Sequence, residues 1–144
     1  IMAGFPGENE ADFRDSYELL ESLPVSYFHV FPHSRRPGTR AADSPDQVPE
    51  HLKRARPLEL KALNQAKRRI FAEANFGHRE LALVENTPHR ESGRLKVLTG
   101  NYLSALLPAS VRGLPPGTLL PVVIRAGHNP EAQLEAEPAG NLLS

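Results

Sequence analysis

The sequence predicts an α+β chain: a βαβ unit, then a basic helical stretch, then a small five-stranded antiparallel barrel. Three observations predict it. Apolar residues recur at helical spacing up to Gly77 and at alternating positions after it. Proline takes 14 of 144 places, roughly twice its usual ~5% share, so most elements are short and often interrupted. The hydrophobic fraction of 40% is enough for a packed core and excludes wholesale disorder.

The elements follow in order. Ile1-Met2-Ala3 leads into Gly4-Phe5-Pro6-Gly7 and reads as a chain opening inside a strand. Asn9 is a natural N-cap with Asp12 in the first turn, and Phe13, Tyr17 and Leu20 share one helical face, so a helix is expected over residues 10–22. Ser26 to Phe31 is aromatic and β-branched and reads as a strand closed by Pro32, which completes a βαβ unit with a right-handed crossover. Residues 32–49, punctuated by prolines, read as loop. From Glu50 to Asn75, Leu60, Leu63, Ile70 and Ala74 mark an apolar helical face. Pro57, costing ~3 kcal/mol in a helix interior, implies either a kink near Arg56 or a new helix, and Gly77 is the expected C-cap. Glu80–Glu85, Arg94–Thr99, Tyr102–Leu107, Leu119–Ile124 and Gln133–Glu137 then read as five strands, with turns at Pro88 and Gly93, Gly100-Asn101, Pro115-Pro116-Gly117, and Gly127 with Pro130. Five short strands protect their edges by closing. The division is 1–76, 77–138 and a tail at 139–144.

Composition excludes several functions. The chain has no cysteine, which rules out disulfides, thiolate-bound zinc and any iron–sulfur cluster held by this chain alone. No apolar run reaches the ~18–20 residues of a membrane span, and the chain reads as soluble and cytoplasmic. Net charge is zero but unevenly spread: residues 1–46 carry 4 basic and 8 acidic side chains, 47–76 carry 7 and 3, and 77–144 carry 6 and 6. His29 and His33 stand four apart across a strand end, which is not a metal-ligand geometry. No nucleophile elbow, zinc-protease helix motif or phosphate loop occurs.

Two features invite a ligand, and each has a plainer reading. A glycine-bearing strand end at Gly4 lets a ligand approach the backbone, or is only a turn. The helix bearing Lys53, Arg54, Arg56, Lys61, Lys67, Arg68 and Arg69 meets phosphates, or is a solvated face.

Taken together, the runs Ile1–Phe13 and His29–Ala42, Pro45-Asp46-Gln47-Val48-Pro49 before a basic helix, and Leu95, Thr99, Asn101 and Tyr102 resemble the radical-SAM tRNA methylthiotransferase family of MiaB, MtaB and RimO types. The run from His29 to Thr39 resembles the MtaB type more than the others. The resemblance covers nearly the whole chain. It implies that residues 1–76 end a radical-SAM TIM-type barrel and 77–138 form an OB-like barrel, an RNA-binding domain of the TRAM type. It further implies a full-length enzyme that adds a methylthio group to a modified adenosine beside the anticodon, using S-adenosylmethionine and two [4Fe–4S] clusters, none of them bound to this fragment alone. Two residues depart from the family pattern: His33, where Tyr is usual, and Pro57, in a helix usually uninterrupted.

On that resemblance Gly4, Phe31 and Pro32 line the S-adenosylmethionine site. Lys67, Arg68, Arg69, Arg79, Arg94, Lys96 and Tyr102 form the tRNA contact, with Arg94 and Lys96 on one strand face. Tyr102 is either a base-stacking platform or a core residue. The partner is tRNA, no membrane is involved, and the fragment is expected to self-associate through its exposed barrel strands. A self-standing, non-catalytic RNA-binding module is the alternative.

Overall fold

The structure is a computed structural model and describes residues 1–127 and 134–140. The chain divides into two compact units, Ile1–Ile70 and Phe71–Ser144.

The first unit holds β1 (Met2–Ala3), α1 (Glu10–Ser22), β2 (Phe31–Pro32), α2 (Arg40–Asp43) and most of α3 (Glu50–Ala74). The expected βαβ is present: β1 and β2 pair in parallel, Met2 with Phe31 and Ala3 with Pro32. The second strand is far shorter than the expected 26–31. Only two residues of β1 offer a partner, and the Phe28 N–H donates instead to Asn64 Oδ1 of α3 at 2.8 Å. Helix α1 starts where Asn9 places it. Asn9 Oδ1 accepts from the Asp12 N–H and Asp12 Oδ2 from the Asn9 N–H, both at 3.0 Å, which satisfies two otherwise orphan donors. Phe13 is fully buried against Ala3 and Leu60, with Tyr17, Leu20, Phe28 and Val30 around them.

One expectation is corrected here, and one pair of alternatives is narrowed. Residues 40–43, read as loop, form a short helix capped by Thr39, whose side chain accepts from the Ala42 N–H at 3.2 Å. Helix α3 runs through Pro57 as one element of 25 residues, so no new helix starts there. Arg56, Pro57, Leu60 and Leu63 are buried, and this packing offsets the backbone hydrogen bond that proline cannot make.

The second unit is a closed barrel in the order β3-β4-β5-β7-β6, built from β3 (Arg79–Val84), β4 (Lys96–Thr99), β5 (Ser104–Leu106), β6 (Leu119–Arg125) and β7 (Leu134–Pro138). All five expected strands exist. Gln133 and the turn residue Pro130 lie outside the described residues, as do residues 141–144 of the expected tail. The barrel is not wholly antiparallel. β5 and β7 pair in parallel, Ala105 with Leu134 and Leu106 with Glu135, and this pair closes it. Alternation sends Leu120, Val122 and Ile124 of β6 inward, where they meet Val84 and Val97. Ala82, Ala105 and Ala136 are also fully buried, small residues that fit the narrow interior. Phe71 and Ala72 pack partly against this core.

Gly77 is not the helix C-cap. The helix ends at Ala74, and Gly77, at φ +80°, turns the chain into β3 while its N–H donates to the Ile124 carbonyl at 2.9 Å.

Candidate functional site

In the first unit the structure brings Gly4 and Pro32 to the carboxyl end of the parallel pair, with Phe31 one residue earlier, opposite Met2. Phe31 is exposed, with the His29 ring tilted beside it at a centroid distance of 6.4 Å. Gly4 has a different explanation from close ligand approach. Its φ is +81°, and a Cβ there would lie 3.0 Å from Lys53 Cγ, so the glycine is required by its own backbone and by α3.

Sequence reasoning missed what holds this strand end. Arg56 is almost fully buried. Its Nη1 donates to the Glu8 carbonyl at 2.9 Å and to Glu8 Oε2 at 3.3 Å, its Nη2 to Glu10 Oε2 at 3.2 Å, and its guanidinium lies over the Phe13 ring. Glu8 Oε2 in turn accepts from the Gly4 N–H. The turn after β1 is thus tied through one carboxylate to a buried cation on α3. Arg56, and secondarily Arg14, hold the Glu10 carboxyl below the usual glutamate value.

Beside this end lies an open groove of about 600 Å³, lined by Pro32, His33, Arg35, Gln47, Lys53 and Arg54 among others. His33 stands edge-on to Phe5, with ring centroids 5.1 Å apart. Lys53 pairs with Glu50 at 3.1 Å. Nothing in residue spacing announced the groove, because its two walls come from segments some fifteen residues apart, brought together by α2 and the turn before α3.

The expected RNA-contact residues fall in both units. Lys67 donates through Nζ to the carbonyls of Glu21 and Leu23, both at 2.8 Å, supplying a positive charge to a helix end that has none of its own. Arg68 lies 4.7 Å over the Tyr27 ring. Arg69 is exposed.

In the second unit, Arg94 and Lys96 sit at one end of β4 and Tyr102 at the other, across a strand roughly 10 Å long at ~3.3 Å per residue. Arg94 donates through Nε to the Leu107 carbonyl at 2.7 Å and through Nη2 to the Leu106 carbonyl at 3.3 Å, and pairs with Glu135 through both terminal nitrogens. That carboxylate raises the Arg94 pKa further above its ordinary value. Lys96 pairs with Glu85 at 2.5 Å. Both cations are therefore neutralised locally. The exterior across β3, β4 and β6 is apolar: Leu83 stands opposite Leu98 on one side and Leu119 on the other, with Leu81 and Leu119 well exposed.

Tyr102 is exposed to 70% and is the one described non-glycine residue at positive φ, +66°. A left-handed conformation costs an ordinary residue about 1–2 kcal/mol, so something must impose it. The Thr99 hydroxyl, buried, donates to Asn101 Oδ1 at 2.5 Å and accepts from the Leu103 N–H at 2.9 Å. Asn101 Nδ2 donates to Asn75 Oδ1 at 3.0 Å, and Asn75 Nδ2 to the Phe71 carbonyl at 2.7 Å. This chain of side chains fixes the turn on both sides of Tyr102 and pushes its ring outward. Since Ala82 pairs with Thr99, the start of β3 lies at the same end of the barrel, and Arg79 there donates to the Ala139 carbonyl at 3.0 Å.

Among the described residues no group of acidic, histidine or cysteine side chains could hold a metal ion, and no helix is long and apolar enough to cross a membrane. No protein-family model matches the chain. Curated relatives do. The threonylcarbamoyladenosine tRNA methylthiotransferase MtaB of Aquifex aeolicus is 44% identical over 103 residues, 72% of this chain and 23% of the relative. A tRNA-2-methylthio-N(6)-dimethylallyladenosine synthase of Bordetella petrii is 37% identical over 124 residues, 86% of this chain and 25% of the relative. The MtaB of Treponema pallidum is 38% identical over 113 residues, 78% of this chain and 22% of the relative. The chain spans about a quarter of the length of these relatives. Matched across most of its own length by methylthiotransferases of both adenosine types, with the two MtaB proteins showing the higher identities of the three, the chain belongs to the tRNA methylthiotransferase family.

Proposed function

We propose that the chain is part of a radical-SAM enzyme that adds a methylthio group to a modified adenosine next to the tRNA anticodon. Residues 1–76 supply the end of its catalytic barrel and residues 77–138 an RNA-binding barrel of the TRAM type. The MtaB relatives are named for a threonylcarbamoyl adenosine, and we take that nucleoside as the substrate. We take the enzyme to work in the cytoplasm, in keeping with a tRNA substrate.

S-Adenosylmethionine, with the clusters, would supply the radical and the sulfur chemistry. Both clusters require thiolates from outside this chain, which has no cysteine. The part left to these residues is positioning. Phe31 offers an exposed ring and Pro32 an apolar edge at the strand ends, and both fit an adenosine. Gly4 contributes backbone groups in a conformation fixed by Arg56 through Glu8.

The observation that carries the tRNA reading is Tyr102. An aromatic ring displayed to solvent, on a backbone held in an unfavourable conformation by a buried hydrogen-bonded network, is a feature that stability alone would remove. Such a ring suits a nucleic-acid base, whose stacking contributes about 1–3 kcal/mol. Arg79 at the same barrel end, and Arg68 and Arg69 in the first unit, add positive charge. Lys67, Arg94 and Lys96 are already engaged within the fold, so their replacement perturbs structure before affinity.

The test is Tyr102→Gly. Relief of the positive φ is expected to hold or raise the melting temperature, while tRNA affinity falls roughly 5- to 150-fold; Tyr102→Phe is expected to keep the affinity. A Gly variant that binds tRNA as tightly as the parent would remove Tyr102 from the interface.

A further inference from the structure

Positive side chains can meet phosphate only if nothing in the protein already neutralises them. Most of the cations expected to touch RNA are used internally, as described above. Among the described residues, the cationic side chains with no ion pair, hydrogen bond or ring contact are Arg35, Arg36, Arg40, Arg54, Lys61 and Arg90. Four of these six fall between residues 35 and 54, and two of them, Arg35 and Arg54, line the groove of about 600 Å³ beside Pro32. Lys53, on the same wall as Arg54, is taken up by an ion pair and adds no free charge. The single carboxylate in the lining is Glu50, which Lys53 engages at 3.1 Å.

We propose that this groove seats the phosphodiester backbone of the substrate RNA, with Arg35 and Arg54 as the phosphate ligands. The inference rests on the reading of tRNA as the partner and names where the first unit holds it. Its position gives it a use. The groove begins at Pro32, and the Lys53 side chain that packs on Gly4 also lines it, so a strand gripped there runs past the strand ends at which S-adenosylmethionine is placed above. A two-point grip on consecutive phosphates fixes both the position and the direction of a strand, which a diffuse positive surface does not. Neither arginine belongs to the buried framework that Arg56 holds together, and both are exposed. They are therefore replaceable without loss of fold.

The experiment measures binding of a transcribed tRNA to the 144-residue chain at several salt concentrations, comparing the parent, Arg35→Ala/Arg54→Ala, and a control pair, Lys61→Ala/Arg90→Ala. Circular dichroism confirms that each variant is folded. Each phosphate contact with a single strand contributes about 0.7 to the slope of log affinity against log salt. Losing two is expected to lower the slope by about 1.4 and weaken binding about 25-fold at 0.1 M salt, with the control pair unchanged. Equal losses in both pairs would show a diffuse field and overturn the seat. A parent that binds tRNA with no change in the Arg35/Arg54 variant would overturn it too, while leaving tRNA as the partner. A parent that fails to bind tRNA even at low salt removes the partner and the seat together.

Discussion

Replacement of Arg94 separates a structural role from an RNA-binding one. The guanidinium donates to the carbonyls of Leu106 and Leu107 and forks onto Glu135, so it joins β5 and β7 where they run parallel. Hydrogen bonds from charged groups contribute about 1.5–3 kcal/mol net, and breaking a buried pair by removing one partner costs about 3–5 kcal/mol. Here the two side chains remain 20% and 19% exposed, so the lower end applies and Arg94→Ala is expected to cost ~3 kcal/mol. In a unit of this size each kcal/mol shifts the melting temperature by about 4–8 °C, which gives a fall of roughly 12–24 °C. Arg94→Lys keeps the charge but not the fork and is expected to lose about half as much. Arg94→Leu with Glu135→Leu, which leaves no unpaired charge, is expected to recover most of the loss. Thermal melts followed by circular dichroism measure all three. A drop of less than about 3 °C in Arg94→Ala would refute the reasoning, and weakened tRNA binding at an unchanged melting temperature would return Arg94 to the interface.

Other expectations are simpler. Gly4→Ala should destabilise the first unit, by about 1–2 kcal/mol from positive φ alone, because the new methyl also meets Lys53; differential scanning calorimetry on the isolated chain, without any S-adenosylmethionine, detects it. The purified chain should bind no stoichiometric iron and yield no 5′-deoxyadenosine from S-adenosylmethionine; either product would contradict the division of labour proposed above. Light scattering should show self-association, since Ile1, Met2, Phe5 and Phe31 are all exposed around a two-stranded sheet with free edges; a strict monomer at high concentration counts against it.

Much of the fold was legible in the sequence because local chemistry determines it. Asn9 and Asp12 announced α1, and alternation after Gly77 announced all five barrel strands to within two residues at each described end. What escaped was decided by distant partners. Which of the two alternatives at Pro57 holds was one such choice: no new helix starts there, because burial beside Leu60 and Leu63 outweighs a local penalty. The short β2 reflects the two residues its partner strand offers, and the parallel β5–β7 pair is a property of closure that no single strand encodes. The turn at Gly100-Asn101 was visible, but its positive φ falls on the next residue, Tyr102, since Asn101 is held by Asn75 and Thr99. Of the cations expected to face RNA, the sequence shows their charge but not the carbonyls and carboxylates that occupy them.

The parallel contact that closes the barrel also sets the order in which the barrel can be made. β7 comes last of the five strands in the chain and pairs on one side with β5 and on the other with β6. During synthesis β3, β4, β5 and β6 can associate as a sheet, but two of them present open edges until residues 134–138 have left the ribosome. A ribosome paused before that point holds a sheet with unpaired backbone on both sides, the state most open to pairing with a second nascent chain. A stop codon at Leu134 should therefore convert a closed, well-behaved domain into an aggregating one while deleting little of its buried core, of which Ala136 is the sole fully buried member on β7.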